Sequence, residues 1–573
     1  MALTRKPVAA LLIICAVTLA WVTVRTRFPR SVLNPAFAET KESSSVPLDR
    51  FGGVKVQIVK PSGFFRVAKL NNRWVFATPE GNPFWMLGVF AVDVDDRFVD
   101  LAAKYGGSNP RATWGVQATR RLKAWGFNTP AEYSSAYVLP GQPGVEKLPF
   151  MVLVRPSHYG LTNRWNYAVG PFKDLVDALN PTYTGYRNGS MPDAFDPNFD
   201  VYANRFTAAM LNDPFWGGLA ASPWAIGITV DDADNLFRFG PGPEVPAARL
   251  HPHIGWFAIA CAPTKASSTR YGVAYADPKV YTKYALRAFL QAKYGTIAAL
   301  NAVWGATYTT WDSAGGYGVG TGFLDEDGRH TAWLGSTDGM LVGAAPAVVA
   351  DLDAFLYQYA KQYFATVTKW VRQYAPHQLV FGPASLNGWG GLTRQPILQA
   401  AGQYVDVLNA MVSSQAVLDK TAQYAGDKPI VTWEGYIANP DSALYAYPNP
   451  PPSDSPAYQF SFNTQADRAQ NYAARLNFLL NATTAGGVSP IAGLKFWAWT
   501  YSKGEQRNWG LVSLKDNAYD GKEAIIAPGT GPWGFRTGGE DQNYGDFISV
   551  VRRANLTQLQ KLPARPQGAR TQW

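Results

Sequence analysis

Short apolar segments alternate with helical segments from residue 84 to residue 499, and this alternation most constrains the fold. It favours a parallel sheet whose strands are joined by helical crossovers. Strands are predicted at 84–90, 127–129, 150–154, 224–230, 378–381, 405–408, 429–433 and 493–499. Eight strands in this rhythm predict an α/β fold, a (β/α)8 TIM barrel over residues 84–515 with a long insertion after strand 4.

The clearest helix is predicted at 351–375, where Leu352, Phe355, Leu356 and Tyr359 begin one apolar stripe. Such a stripe indicates core packing. Further helices are predicted near 115–125 and at 198–211, from Asp277 to Gly295, and at 464–482.

The segments outside the barrel differ from it in pattern. Residues 51–83 alternate polar and apolar side chains and predict a small β-hairpin region. Residues 39–50 are polar and are interpreted as a linker, and residues 516–573 as a C-terminal extension with a capping or loop role.

Residues 1–38 have the plan of an export segment. Arg5 and Lys6 precede an almost wholly apolar run from Val8 to Val24. Two outcomes are open: cleavage after Ala38 as a signal peptide, or retention of residues 7–24 as an N-terminal membrane anchor. Both predict an extracytoplasmic protein that is secreted, periplasmic or anchored.

Charge and cysteine content narrow the possible partners. The net charge is +10, but no Lys/Arg-rich run accompanies it, so nucleic-acid binding is not predicted. The charge either only aids solubility or indicates an acidic polysaccharide or anionic surface. The two cysteines are Cys15 and Cys261, so an exported domain holds no internal disulfide. No metal-binding motif is present, and no cofactor is implied.

The predicted strand ends carry carboxylates, amides and aromatic rings. The active site of such a barrel collects at the carboxyl ends of its strands. Glu434 ends strand 7. A glutamate at the carboxyl end of a strand, among aromatic residues, suits the nucleophile of a barrel glycosidase, although a solvated glutamate at an ordinary strand-to-loop junction fits equally. Asp231, Asp232 and Asp234 follow strand 4. This group is interpreted as an acid/base site, an Asp-rich turn or a cation site. Predicted substrate contacts are Asn128, Asp231, Trp389, Trp497, Trp499, Asn508 and Trp509.

Three motifs resemble those of the β-agarase family and, more broadly, of retaining (β/α)8 glycoside hydrolases. They are Trp74–Phe84, Leu122–Thr129 and Tyr294–Gly305. The resemblance implies that Glu434 is the nucleophile and that Trp497 or Trp499 closes the sugar site. It also implies an Asn-Glu pair on strand 4, but Asp232 and Ala233 stand there instead.

Three explanations of that departure are open. Asp232 or Asp234 takes over the acid/base role, a loop carboxylate such as Glu244 supplies it, or the acid is lost. The prediction is therefore a glycoside hydrolase that cleaves β-glycosidic bonds of a polysaccharide, agarase- or β-galactanase-like, with two carboxylates and retention. The alternatives are a non-catalytic glycan-binding barrel and a structural cell-envelope protein.

Overall fold

A computed structural model describes residues 46–157, 175, 191–232, 259, 277–315, 321–325, 345–384, 386–388, 390–433, 439, 464–500, 509–522 and 546–561. These residues belong to one unit, Ser45–Trp573. The strands are β1 Arg66–Leu70, β2 Arg73–Ala77, β3 Pro83–Phe84, β4 Met86–Val89, β5 Thr129–Pro130, β6 Phe150–Val154, β7 Ala225–Val230, β8 Leu379–Phe381, β9 Leu408–Asn409, β10 Ile430–Trp433 and β11 Ile491–Phe496.

Helices connect or flank most of these strands. They are α1 Leu101–Tyr105, α2 Pro110–Ala124, α3 Pro197–Leu211, α4 Trp216–Ala220, α5 Tyr281–Tyr294, α6 Ile297–Trp304, α7 Pro346–Tyr374, α8 Gln395–Tyr404, α9 Gln415–Ala425, α10 Gln465–Asn481 and α11 Ile548–Lys561. Two 3₁₀ turns lie at Ala136–Val138 and Gly390–Thr393.

Strands β4 to β11 pair in parallel, in an order that follows the chain. One sheet has the order β5-β4-β11-β10-β9 and a second the order β6-β7-β8. A parallel bridge between Phe381 and Val407 joins the β8 edge to the β9 edge. The first and last of the eight strands, β4 and β11, are neighbours. This cyclic order is compatible with a (β/α)8 barrel, in which β5 and β6 would be the remaining pair.

Side-chain alternation divides the core into two clusters. Leu87 and Val89 of β4 belong to the cluster that includes the helical side chains, whereas Met86 and Phe90, the residue after β4, belong to the other. Successive side chains of a strand point to opposite faces, so each strand contributes to both. The second cluster collects apolar residues from most of the parallel strands and forms the interior opposite the helices.

The antiparallel strands β1 to β3 cover the amino-terminal ends of the parallel strands. The Trp74 amide donates to the Ser489 carbonyl (2.9 Å), just before β11. The Phe51 ring lies 4.5 Å from the Trp224 ring, just before β7. Phe65, Phe76 and Phe84 join the same interior cluster. The predicted hairpin region therefore closes this end of the interior.

The predicted helices are present, with shifted ends. The stripe on α7 is buried against the core, including Leu352, Phe355, Leu356 and Tyr359. The helix predicted from Asp277 begins at Tyr281 instead, because the Asp277 carboxylate accepts from the Lys279 amide and holds a turn. The strand predicted at 127–129 is observed at 129–130, so Asn128 precedes it.

The C-terminal extension does more than the predicted capping or loop role. Helix α11 packs on α10 and α2 through Asn555, which accepts from the Tyr472 hydroxyl (2.7 Å) and donates to the Trp125 carbonyl (3.0 Å). The Phe547 ring lies 3.9 Å from the buried Arg468 guanidinium. The extension thus completes the helical layer.

Among the described helices, none combines the length and the hydropathy required to cross a bilayer. Residues 7–24, predicted as the tether, and the rest of the segment 1–38 lie outside the described residues.

A prediction follows from the close approach of β7 and β8 at Gly227. A Cβ on Gly227 would lie 2.4 Å from the Leu379 carbonyl oxygen and 2.5 Å from the Phe381 ring. Gly227→Ala is therefore expected to lower the free energy of unfolding by about 1–3 kcal/mol, measured by urea denaturation. Gly218→Ala in α4 is the control, because its Cβ meets nothing within 4 Å. Equal effects of the two substitutions would contradict the steric account.

Candidate functional site

Four polar side chains meet in the interior near the carboxyl ends of the strands. We call Glu132, Thr229, Asn409 and Lys495 the interior polar cluster. The Glu132 Oε1 atom accepts hydrogen bonds from Thr229 Oγ1 (2.5 Å), Asn409 Nδ2 (3.2 Å) and Lys495 Nζ (2.8 Å). All four side chains are buried. One carboxylate therefore ties the β5 end to β7, β9 and β11.

Lys495 fits inside because its neighbours make room and supply charge. It pairs with Gly88 of β4, where a Cβ would lie 3.1 Å from Lys495 Cγ. Its Nζ atom lies 4.5 Å from the Phe90 ring centroid, a cation–π contact. Burial lowers the pKa of Lys495, and the negative charges of Glu132 and Asp232 oppose that shift. Lys495 thus stands in the fields of two carboxylates.

Two acceptor atoms of this cluster meet no donor among the described residues. Glu132 Oε2 and Asn409 Oδ1 are buried and accept no hydrogen bond within the described part of the chain. Buried acceptors usually have partners, and exceptions concentrate at functional sites or at ordered water. The cluster therefore has hydrogen-bond acceptors that its own side chains leave unused.

An aromatic cluster of Phe90, Trp433 and Trp497 adjoins the polar one. The Trp433 and Trp497 rings stack at 5.4 Å with an interplanar angle of 7°. Both meet Phe90 edge-on, at 4.9 and 5.3 Å. Trp497 is only partly buried, and the peptide bond after it is cis. A flat, partly accessible indole face beside polar groups can stack on a sugar ring.

Asp231, predicted to contact substrate, points toward the helical layer instead. Its φ angle of 62° puts it in the left-handed region. Its carboxylate accepts from Ser157 Oγ (2.8 Å), the Ser157 amide (3.2 Å) and the Tyr363 hydroxyl of α7 (2.5 Å). Burial raises the pKa of Asp231 to about 6, although these hydrogen bonds and Arg155 oppose the shift. The residue anchors the end of β7.

Asp232 is the predicted acid/base residue that the structure describes. It is partly buried, and its Oδ2 atom accepts a hydrogen bond from the Tyr133 hydroxyl. Tyr133 follows Glu132 directly and is 37% exposed. Asp232, Tyr133 and Lys495 thus bring a carboxylate, a phenol and an ammonium group to one region.

Three other predicted substrate contacts occupy structural positions. The Asn128 amide braces β4, accepting from the Leu87 amide (2.8 Å) and donating to the Trp85 carbonyl (2.9 Å). Trp499 is 0% exposed and stacks on Trp125 at 5.4 Å. Trp509 is likewise buried. Of the two tryptophans predicted to close the sugar site, Trp497 has the accessible ring.

Four predicted site residues lie outside the described residues: Glu434, Asp234, Trp389 and Asn508. Glu434 directly follows Trp433, the last residue of β10. Within the described ranges, no group of three or more His, Cys, Asp or Glu side chains is arranged to hold a metal ion.

The sequence interpretation overlooked Glu132, Tyr133 and Lys495. The predicted strand 127–129 was taken to present Asn128 at its end, whereas β5 is Thr129–Pro130 and the turn directly after it carries Glu132 and Tyr133. A signal for Lys495 existed, since it is the one charged residue of the apolar strand Ile491–Phe496. Charges inside buried strands require partners, and Glu132 supplies one.

Comparisons with known structures define the class of fold. An exo-β-agarase structure aligns with a TM-score of 0.59 at 18% identity, covering 89% of this chain and 67% of that one. The crystal structure of another agarase aligns with a TM-score of 0.59 at 16% identity, covering 90% and 68%. The chain therefore has an α/β fold shared with agarases.

Two curated proteins of similar sequence are also named β-agarases. β-Agarase B of Vibrio sp. (strain JT0107) is 22% identical over 525 residues, covering 80% of this chain and 47% of the relative. β-Agarase A of the same strain is 24% identical over 419 residues, covering 71% and 34%. No family model matches the chain. The resemblance to β-agarases is confirmed, and the chain spans less than half the length of these relatives.

The interior ion pair yields a stability prediction. Glu132→Gln removes the carboxylate that is directly bonded to the buried Lys495 cation, so the free energy of unfolding is expected to fall by about 3–5 kcal/mol. Adding Lys495→Met should recover most of this loss. Guanidinium denaturation measures both.

The matched control is Glu80→Gln, which breaks an ion pair with Arg50 at 40% and 68% side-chain exposure and should change stability little. A Glu132→Gln variant as stable as this control would show that the interior pair is dispensable.

Asp231 yields a pH prediction. Its folded-state pKa of about 6 lies above the ordinary value of 3.8, so the folded protein holds this proton more tightly than the unfolded chain. The resulting stabilisation is complete below pH 4 and is lost as pH rises through 6. Relative to Asp231→Asn, the parent should lose stability on the order of 2–3 kcal/mol between pH 4 and 7.

Urea midpoints of both proteins across this range measure the difference. Asp419→Asn, on helix α9, is the control and should follow the parent at every pH. Parallel curves for the parent and Asp231→Asn would refute the shift.

Proposed function

We propose that this protein is a glycoside hydrolase that cleaves β-glycosidic bonds of an agarose-like or related polysaccharide. One observation carries the proposal. The partly accessible Trp497 ring stacks on Trp433 and meets Phe90, whose ring contacts Lys495, the ion-pair partner of the Glu132 carboxylate. Apolar rings with a few convergent polar groups are typical of a sugar-binding cleft. The agarase names of the relatives and the shared fold support the substrate class.

The proposal includes closure of the eight strands into a (β/α)8 barrel. The cyclic strand order, the neighbouring first and last strands and the apolar interior opposite the helices support it. In a closed barrel, residues following β5, β7, β10 and β11 converge on one face. That convergence would bring Glu434, next to Trp433, toward Asp232.

We assign Glu434 as the nucleophile and Asp232 as the acid/base, with Asp234 as its alternative. The protonated acid/base gives its proton to the glycosidic oxygen while the Glu434 carboxylate attacks the anomeric carbon, which releases the first sugar fragment. The acid/base then takes a proton from water, which displaces the sugar from Glu434. Retention requires the two carboxylates to be about 5–5.5 Å apart. Trp497 stacks on the sugar ring, and Lys495 supplies positive charge beneath the site.

One observation favours the second candidate, a glycan-binding barrel without catalysis. Ala233 stands where the resemblance implies the acid/base glutamate, and aspartate is one methylene shorter. A misplacement of about 1 Å can cost about 10²-fold in rate. Either function predicts a polysaccharide partner. Export, with cleavage or retention of residues 7–24, remains part of the proposal.

The test is reducing-end release from a panel of galactans, other β-glycans and acidic polysaccharides, with residues 39–573. Glu434→Gln is expected to lower the rate by at least about 10³-fold, because the nucleophile is removed. Asp232→Asn is expected to lower it by about 10²- to 10⁴-fold.

Asp419→Asn is the control and should retain the parent rate. Full activity of Glu434→Gln would overturn the assignment of the nucleophile. Binding of a glycan by the parent without release of reducing ends would establish the non-catalytic alternative.

A further inference from the structure

Non-glycine residues in left-handed conformations gather just after the parallel strands. Ala91 follows β4 with φ 48°, Tyr133 follows β5 with φ 65°, Asp231 follows β7 with φ 62°, and Asn387 lies beyond β8 with φ 55°. Such conformations are energetically unfavourable for non-glycine residues and concentrate at functional sites. The bulky Tyr133 is the least expected of these residues in that region.

The surrounding backbone fixes Tyr133 in place. The Ala131 amide donates to the Val89 carbonyl (2.8 Å), and the Ala91 amide donates to the Glu132 carbonyl (2.9 Å). The Val92 amide donates to Ser134 Oγ (3.2 Å). The loops after β4 and β5 are thus joined on both sides of residue 133.

This turn sends neighbouring side chains in different directions. Glu132 is 1% exposed and enters the interior polar cluster, whereas Tyr133 is 37% exposed. A glycine would adopt the same backbone without steric cost. The side chain, rather than the backbone, therefore accounts for a tyrosine here, and one contact of that side chain is the hydrogen bond to Asp232.

The position of Asp232, which accepts that hydrogen bond, is also set by a residue in a left-handed conformation. Asp231 is held by Ser157 and Tyr363, and Asp232 follows it directly. Tyr133 and Asp232 thus meet from two braced turns, one after β5 and one after β7. A carboxylate held by a fixed donor keeps one orientation, whereas a free aspartate samples several rotamers.

We propose that Tyr133 is a positioning residue that holds the Asp232 carboxylate toward the bound glycan. The inference rests on the proposed function of this site. It also explains how the shorter aspartate is kept in one place where the resemblance implies a glutamate. Tyr133 acts through Asp232, so the two side chains form one functional unit.

The test is a double-mutant cycle with Tyr133→Phe, Asp232→Asn and the double variant. Tyr133→Phe retains the ring and is expected to lower kcat by about 10- to 100-fold, with KM changed less than about 3-fold. The double variant should be no slower than Asp232→Asn alone by more than about 3-fold, because both substitutions remove the same function. Tyr424→Phe, on helix α9, is the control and should match the parent.

Stability separates positioning from a merely structural role. Tyr133→Phe removes only the hydroxyl and keeps the ring, so it should unfold at nearly the temperature of the parent and yet lose kcat. Loss of both stability and activity in this variant would indicate a structural role and overturn the inference.

The outcomes also separate this inference from the proposed function. If the parent cleaves a glycan but the effects of Tyr133→Phe and Asp232→Asn multiply independently, the inference fails and the hydrolase stands. If the parent binds an oligosaccharide without cleaving it, the same double-mutant cycle is measured on Kd by calorimetry. Independent effects of the two substitutions on Kd overturn the inference. A parent that neither cleaves nor binds any glycan of the panel overturns both.

Discussion

The site region depends on one buried ion pair. Glu132 and Lys495 lie 2.8 Å apart with both side chains 0% exposed. Neither charge would be tolerated alone in this interior, so each requires the other. Thr229 and Asn409 bond the same carboxylate oxygen, so the pair also fixes the relative heights of β5, β7, β9 and β11. The aromatic cluster contacts Lys495 through the Phe90 ring.

Much of the architecture could be predicted because periodicity and burial determine it. The stripe of α7 and the apolar strands β6, β7 and β10 appear where the sequence pattern places them. Strand ends are harder, since β5 and β9 have two residues each and no pattern to delimit them. That uncertainty moved Asn128 into the predicted site and left Glu132 outside it.

Side-chain direction was the other limit. A period-two pattern would turn Asp231 inward after Val230, but its left-handed backbone turns it toward Tyr363. Trp497 and Trp499 share a face in an ideal strand, yet β11 ends at Phe496, and Trp499 packs on Trp125. Both outcomes depend on backbone angles that composition and spacing do not encode. Asp232 was predicted because it follows strand 4, where a barrel collects its site residues.

The pairing of β4 with β11 has a consequence for biosynthesis. The Trp85 indole donates to the Ile491 carbonyl (2.9 Å), across 406 residues of chain. The hairpin that covers the strand ends also bonds to Ser489. During synthesis, the first strands therefore keep exposed edges and apolar faces until residues near 490 have left the ribosome. Contacts this distant in sequence slow folding and prolong exposure to aggregation. Chains in which β4 still lacks β11 are therefore expected to aggregate more readily than the complete fold.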